Sequence, residues 1–163
     1  VIVHRRVLIG LGSNIGDSAA MVHRAMLELE RSFLARPQRS RLWKTEPVGF
    51  LDQPAFVNAA IIGTTDLSAR AIHDSCKEIE QMLGRTQRER WREREIDIDV
   101  IMIENEVFDE DDIHIPHARM ADRRFVLVPC FEIASSLVCP RSGNTIDQLL
   151  SSCPDTSTVD VLP

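Results

Sequence analysis

What this sequence lacks narrows its class before any motif is considered. No apolar run approaches the ~18 residues that a membrane-spanning helix requires, so no membrane partner is expected. The apolar stretch after the basic pair Arg5-Arg6 ends by Gly12, too short for the h-region of a secretory signal. The four cysteines form no C-x-x-C pair and no histidine stands at zinc-finger spacing, so buried or free thiols in a reducing cytoplasm are expected. There is no internal repeat, low-complexity tract or long linker. At 163 residues the chain is long enough to bury one real core and too short for two, which predicts a single domain over 1–163. Lysine is also scarce: seventeen of the nineteen basic residues are arginine.

The net charge of −6 argues against a general nucleic-acid binder. Its distribution says more than its sum. Five arginines fall between Arg85 and Arg94, and six acids crowd the nine positions from Glu104 to Asp112. A local basic cluster on an acidic protein suits a small polyanion such as a nucleotide, although a solvated charge run reads the same way.

Val7 to Ile9 reads as a buried strand entering Gly10-Leu11-Gly12-Ser13-Asn14-Ile15-Gly16-Asp17, a tight turn by composition. Asp17 or Ser18 then caps a helix whose apolar face is Val22, Ala25, Met26, Leu29 and Phe33. Strands are expected over 40–45 and 56–64, with a loop over 47–54 between them. A second helix carries Leu67, Ala71, Ile72, Cys76, Ile79 and Leu83 on one side and stops at Gly84. After the charged loop 85–94, residues 95–103 form a strand whose even positions, Ile96, Ile98, Val100 and Met102, are all apolar and face the core. A hairpin at 104–106, an acidic connection, a turn at Pro116-His117 and short helices over 119–133 and 145–152 complete the chain. The order β-α-β-β-α-β predicts an α+β sandwich with helices on one face of a mainly antiparallel sheet.

Asp97 and Asp99 are the sharpest chemical signal. Two residues apart on a strand, their side chains leave the same face roughly 7 Å apart. That spacing brackets one or two Mg²⁺ ions, which take one or two carboxylates together with substrate phosphates. Two solvent-facing acids on a half-exposed strand are the alternative. The loop Arg85 to Arg94, with Trp91 inside it, supplies guanidinium forks matched to phosphate oxygens. Glu80, one turn before the helix stop, suits a ribose or base equally with an exposed helical position. Phe56 and Asn58 share a strand face, an aromatic plane beside an amide, which suits a flat heterocycle if Phe56 is not simply core.

In order along the chain stand Gly10-Leu11-Gly12-Ser13-Asn14-Ile15-Gly16-Asp17; Pro47-Val48-Gly49 with Asp52-Gln53-Pro54-Ala55-Phe56-Val57-Asn58-Ala59-Ala60; and Glu80 with Gly84-Arg85. Arg90-Trp91 with Arg94, Asp97-Ile98-Asp99, Pro116-His117, and Arg123-Arg124-Phe125-Val126-Leu127-Val128-Pro129 with Glu132-Ile133-Ala134 follow. This series resembles the 6-hydroxymethyl-7,8-dihydropterin pyrophosphokinases of folate biosynthesis, from about Val7 to Ser152.

The resemblance implies a ferredoxin-like α+β fold. It also implies transfer of the β,γ-pyrophosphate of ATP to the pterin hydroxymethyl group, releasing AMP. By the family pattern Asp97 and Asp99 hold two Mg²⁺. Phe56 and Phe125 sandwich the pterin, while Asn58 and the Thr45 and Val48 backbone bond its polar edge. Glu80, Arg85, Arg94, Val100, His117 and Arg123 serve ATP, with Arg90 and Trp91 on a closing loop. No histidine stands ready as a general base, so a metal-polarised hydroxyl near Asp97 is expected. The implied partners are these two small molecules, the implied state a cytoplasmic monomer, with no fused downstream folate enzyme.

Three departures stand out. The family's usual Trp-Gly-Pro-Arg is here Trp91-Arg92-Glu93-Arg94. The loop from Gly84 to Trp91 is about one residue shorter than in some relatives, which unsettles the place of Arg88. Asp112 stands where some relatives have a phosphate-binding arginine. A D-x-D glycosyltransferase and a non-catalytic ligand-binding domain of the same fold are the rival classes.

Overall fold

A computed structural model describes residues 2–163. The main sheet contains β1 (Arg5–Ser13), β2 (Ala35–Arg39), β3 (Trp43–Thr45), β4 (Phe56–Thr65), β5 (Asp97–Ile103) and β8 (Val159–Val161). Their order is β5-β1-β4-β3-β8, with β2 also paired to β4, and every pairing is antiparallel. Helix α1 (Ser18–Ser32) joins β1 to β2, and α2 (Ala69–Met82) joins β4 to β5. That connectivity is the ferredoxin-like βαββαβ unit expected from the element order. A separate hairpin, β6 (Phe108–Glu110) with β7 (Ile113–Ile115), precedes helices α3 (Arg124–Ala134) and α4 (Ile146–Ser151).

Local chemistry places the helix ends. The Asp17 side chain accepts from Ala20 N at the start of α1, and Ser68 accepts from Ala71 N at the start of α2. Gly84 follows α2 at φ +92°, a conformation that strains any residue with a Cβ. The four inner positions predicted for α1 up to Leu29 are buried, as are Ile72, Cys76 and Ile79 of α2 and Leu83 just after it.

Helices cover both faces of the sheet rather than one. Val7, Ile9, Leu11, Ile98 and Val100 pack with α1 and α2 into one core. Leu8, Ala60, Ile62, Ile101 and Met102 pack with α3 and α4 into another. Other boundaries also differ. β1 runs through the two glycines to Ser13, so the turn begins only at Asn14. The strand expected over 40–45 is confined to Trp43–Thr45, with β2 before it. The acidic connection contains the β6–β7 hairpin, and the segment from 119 is a 3-10 turn (Met120–Asp122) ahead of α3.

One irregularity positions the chemistry. Along β5, Ile9 pairs with Val100 but Leu8 pairs with Met102, leaving Ile101 as an extra, unpaired residue. A bulge of this kind reverses the sense of alternation along a strand. Met102 therefore joins the α3 core, not the α1–α2 core that uninterrupted alternation predicts. Upstream, Ile98 and Val100 still face α1 and α2, so Asp97 and Asp99 face the other way.

Candidate active site

Beyond the end of the α3 core, the second face of the sheet is open and polar. Asp97 pairs with Gly12, and Gly12 pairs with Asn58; Asp99 pairs with Gly10, and Gly10 with Ala60. The aspartates and Asn58 are thus held two strand spacings apart, about 10 Å, with only glycine between them. The missing side chain matters at Gly12: a Cβ there would stand 2.7 Å from Asn58 Oδ1. Asn58 is buried, and its Nδ2 donates to Thr45 Oγ1 at 2.7 Å, which fixes the amide plane.

This floor opens into a cavity of about 350 Å³. It is lined by Thr45, Val48, Phe56, Asn58, Arg85, Arg90, Trp91, Arg94, Asp97, Asp99, His117, Arg123 and Phe125. A second cavity of about 320 Å³ adjoins it and is lined by Val100 and Asp112, sharing Asp99, His117 and Arg123 with the first. Glu80 lines neither cavity. It is 3% exposed, so it is not a surface residue of the helix. Its carboxylate accepts from Arg85 Nη1, Lys77 Nζ and Ile98 N.

The cleft's cations fall into two groups. Arg85 Nη1 lies 2.6 Å from Asp97 Oδ1, Arg94 Nη1 3.2 Å from Asp97 Oδ2, and Lys77 Nζ 3.3 Å from Asp99 Oδ1. Arg90, Arg119 and Arg123 make no ion pair among the described residues, and Arg119 lies 5.9 Å from the Trp91 ring. Unpaired guanidiniums beside a cleft are ready to receive an anion. Burial alone would raise the Asp99 pKa, but Lys77 and then His117 outweigh it and hold this carboxyl below its ordinary value. Burial lowers the His117 pKa, helped by Arg123 and opposed by Asp99, which favours a neutral imidazole. Burial likewise lowers Arg123, reinforced by Arg119.

Three loops meet over the cleft through Asn14. Its Nδ2 donates to Gln53 Oε1 and Pro54 O, its Oδ1 accepts from Arg94 N, and its N donates to Arg94 O. Gln53 Nε2 in turn donates to Trp91 O at 2.6 Å. Trp91 sits at φ +69°, unusual for a bulky residue, and its ring lies against Gly49, where a Cβ would be 2.8 Å from Cγ. Arg92, one of the two charged residues in this turn, stacks 3.9 Å from the centre of the Phe50 ring.

Asp97 and Asp99 bring oxygen donors only, and no cluster of three or more metal-binding side chains occurs among the described residues. Two carboxylates completed by phosphate oxygens and water are how Mg²⁺ is commonly held, so the residues present fit that ion. Lys77, Arg119 and the Asn14–Gln53 junction were not singled out from sequence. The spacing of Lys77 and Glu80, three apart on one helix, was the available signal for the first.

The family profile described as 7,8-dihydro-6-hydroxymethylpterin-pyrophosphokinase (HPPK) matches residues 8–135. A 2-amino-4-hydroxy-6-hydroxymethyldihydropteridine pyrophosphokinase of Haemophilus influenzae is 36% identical over 158 residues, covering 95% of this chain and 97% of that protein. The protein of that name from Methylorubrum extorquens is 40% identical over 147 residues, covering 90% and 92%. Among solved structures, an HPPK-DHPS in complex with substrates superposes with a TM-score of 0.74 at 13% identity, over 92% of this chain. At that identity the likeness concerns the fold alone, and this chain spans 43% of that one.

Proposed function

Because the chain belongs to the 7,8-dihydro-6-hydroxymethylpterin-pyrophosphokinase family, we propose that its cleft transfers pyrophosphate from ATP to the hydroxymethyl group of a reduced pterin, releasing AMP. The observation that carries this reading is the arrangement of the sheet face. Two carboxylates and an aromatic–amide recess lie on either side of a glycine floor, and a second cavity adjoins at Asp99, His117 and Arg123.

The pterin lies in the first cavity, between Phe56 and Phe125, with its polar edge on Asn58, Thr45 and the Val48 backbone. The nucleoside lies in the second, against Val100, so the phosphate chain crosses the groups common to both. Asp97 and Asp99 would hold two Mg²⁺, whose charge offsets that of the phosphate oxygens. Arg85 and Arg94, now paired to Asp97 and Glu80, turn to the phosphates, while Arg90, Arg123 and neutral His117 meet them directly. The pterin hydroxyl oxygen forms a bond to the β-phosphorus and loses its proton to solvent, the bond from that phosphorus to the α-phosphate bridging oxygen breaks, and AMP leaves with that oxygen. Glu80 acts behind this group by holding Arg85. Trp91 and its neighbours close over the nucleotide and exclude water. The proposal takes the protein to be a monomeric, single-domain cytoplasmic enzyme acting on two small molecules. The described residues include no helix long and apolar enough to cross a membrane.

The test is to incubate the protein with Mg·ATP and reduced hydroxymethylpterin and identify the nucleotide product. Pterin-dependent AMP is expected; ADP alone, or no turnover, sinks the reading and leaves the rival classes. Asp97→Ala is expected to reduce turnover by about 1,000-fold or more with the circular dichroism spectrum unchanged. Undiminished activity in that variant removes Asp97 from the metal site.

A further inference from the structure

Lys77 has the richest set of partners of any cleft residue without an assigned role. It belongs to α2, beneath the sheet, yet its amine reaches the opposite face. The route is the sheet's edge. β5 pairs only with β1, so its outer N–H and C=O groups have no ladder partner. At Ile98 both are satisfied from α2: Ile98 N donates to Glu80 Oε2 at 3.0 Å, and Lys77 Nζ donates to Ile98 O at 2.9 Å. From there Nζ stands 3.1 Å from Glu80 Oε2 and 3.3 Å from Asp99 Oδ1, and the lysine lines the larger cavity.

The cations on the two aspartates therefore differ in tether. Arg85 and Arg94 meet Asp97 from the loop that follows α2. Lys77 rises from the middle of a helix and is tied to the β5 main chain. Its ammonium cannot leave Asp99 far without uncapping the sheet edge.

Resting on the pyrophosphokinase reading, we propose that Lys77 is a positioning residue of the metal site, a resident cation that orients the Asp99 carboxylate and opposes binding of a bare divalent ion there. Like charges a few ångströms apart repel strongly in a partly desolvated cleft. Nucleotide phosphates bring the negative charge that lets ammonium and metal coexist. The metal is thereby admitted chiefly with its nucleotide.

The experiment compares wild type with Lys77→Gln, which keeps a donor for Ile98 O and loses the charge. Mn²⁺ binding is measured by titration calorimetry, first without nucleotide and then with the non-transferable analogue α,β-methylene-ATP present. Lys77→Gln is expected to bind bare Mn²⁺ about 10-fold more tightly than wild type, with a change below about 3-fold when the analogue is present. Equal affinity for bare Mn²⁺ in the two proteins overturns the proposal and leaves Lys77 as a staple between helix and strand. If the glutamine variant does not fold, Lys77→Arg is read instead: wild-type-like affinity supports the role of charge, and tightened binding overturns it. The measurement needs no pterin, so absence of AMP formation would reject the pyrophosphokinase reading without deciding this comparison.

Discussion

The two faces of the sheet share the same strands but differ in where their helices stop. Under α1 and α2, the inward positions through the middle of β1, β4 and β5 are apolar: Val7, Ile9 and Leu11; Val57, Ala59 and Ile61; Ile98 and Val100. On the opposite face α3 covers only half of each strand. Leu8, Ile62 and Met102 lie in its core, and beyond them come Gly10 and Gly12, Asn58 and Phe56, Asp99 and Asp97. One face is packed under helices throughout its middle, whereas the other changes from packed core to open cleft midway. The cleft lies where a covering layer ends, and its floor is packed from behind by α1 and α2.

That contrast can be broken most severely at Ile98. Fully buried against α1 and α2 on the strand that carries both aspartates, it should lose about 2–5 kcal/mol of stability on replacement by alanine. Urea unfolding should show a lower midpoint with an unchanged slope. A loss as small as that of Asp97→Ala would erase the distinction between the faces. A smaller effect belongs to the open half of the other face. Gly12→Ala drives a methyl group toward Asn58 Oδ1, and a spoiled hydrogen bond to a buried amide costs about 1–3 kcal/mol. Steady-state kinetics should therefore show the pterin KM rising by about 10-fold, with that for ATP nearly unchanged. Equal rises in both would place Asn58 outside the pterin recess.

The gentlest test compares the two cores with each other. Cys76 lies in the α1–α2 core and Cys130 in the α3 core, and burial pushes each thiol up to about 12. A thiol raised on folding adds stability that is complete below its unfolded value near 9.0 and lost as pH rises through the folded one. Both cores should thus hold to about pH 9 and weaken only above it. At pH 8 a disulfide reagent should modify the less buried Cys153 first and spare Cys76 and Cys130 alike. Early modification of Cys130 alone would show that the partly covered face is looser even where α3 covers it.

Much of this was legible in the sequence because the relevant patterns are local. Alternation along 95–103 marked a strand with two acids on one side, and the apolar faces of α1 and α2 followed a helical period. The helices α3 and α4 were legible as helices, but the face of the sheet that they cover was not. α3 buries Leu127, Val128, Pro129, Cys130, Ile133 and Ala134, a nearly continuous run that points to no single side of a sheet. β2 is exposed throughout and contains Pro37, so it has neither alternation nor strand-like composition. The aspartates, the arginine loop and the Phe56–Asn58 recess were read from their spacing, and the fold gathers them into one cleft. Lys77 was missed because its partners on β5 lie 21 and 22 residues away and meet it only once the sheet edge exists. Glu80 was read as facing ligand or solvent, and the same edge turns it inward.

The extra residue in β5 acts like a shift of reading frame written in space. Counted back from Ile103 without the bulge, positions 101, 99 and 97 would all fall on the α1–α2 side, and two carboxylates would be driven into a dry core. Ile101 resets the count. What must be preserved at that point is therefore a number of residues more than a kind of residue. Substitutions at Ile101 alter packing against Gly10, whereas removing it would turn the cleft inside out with every one of its residues still present.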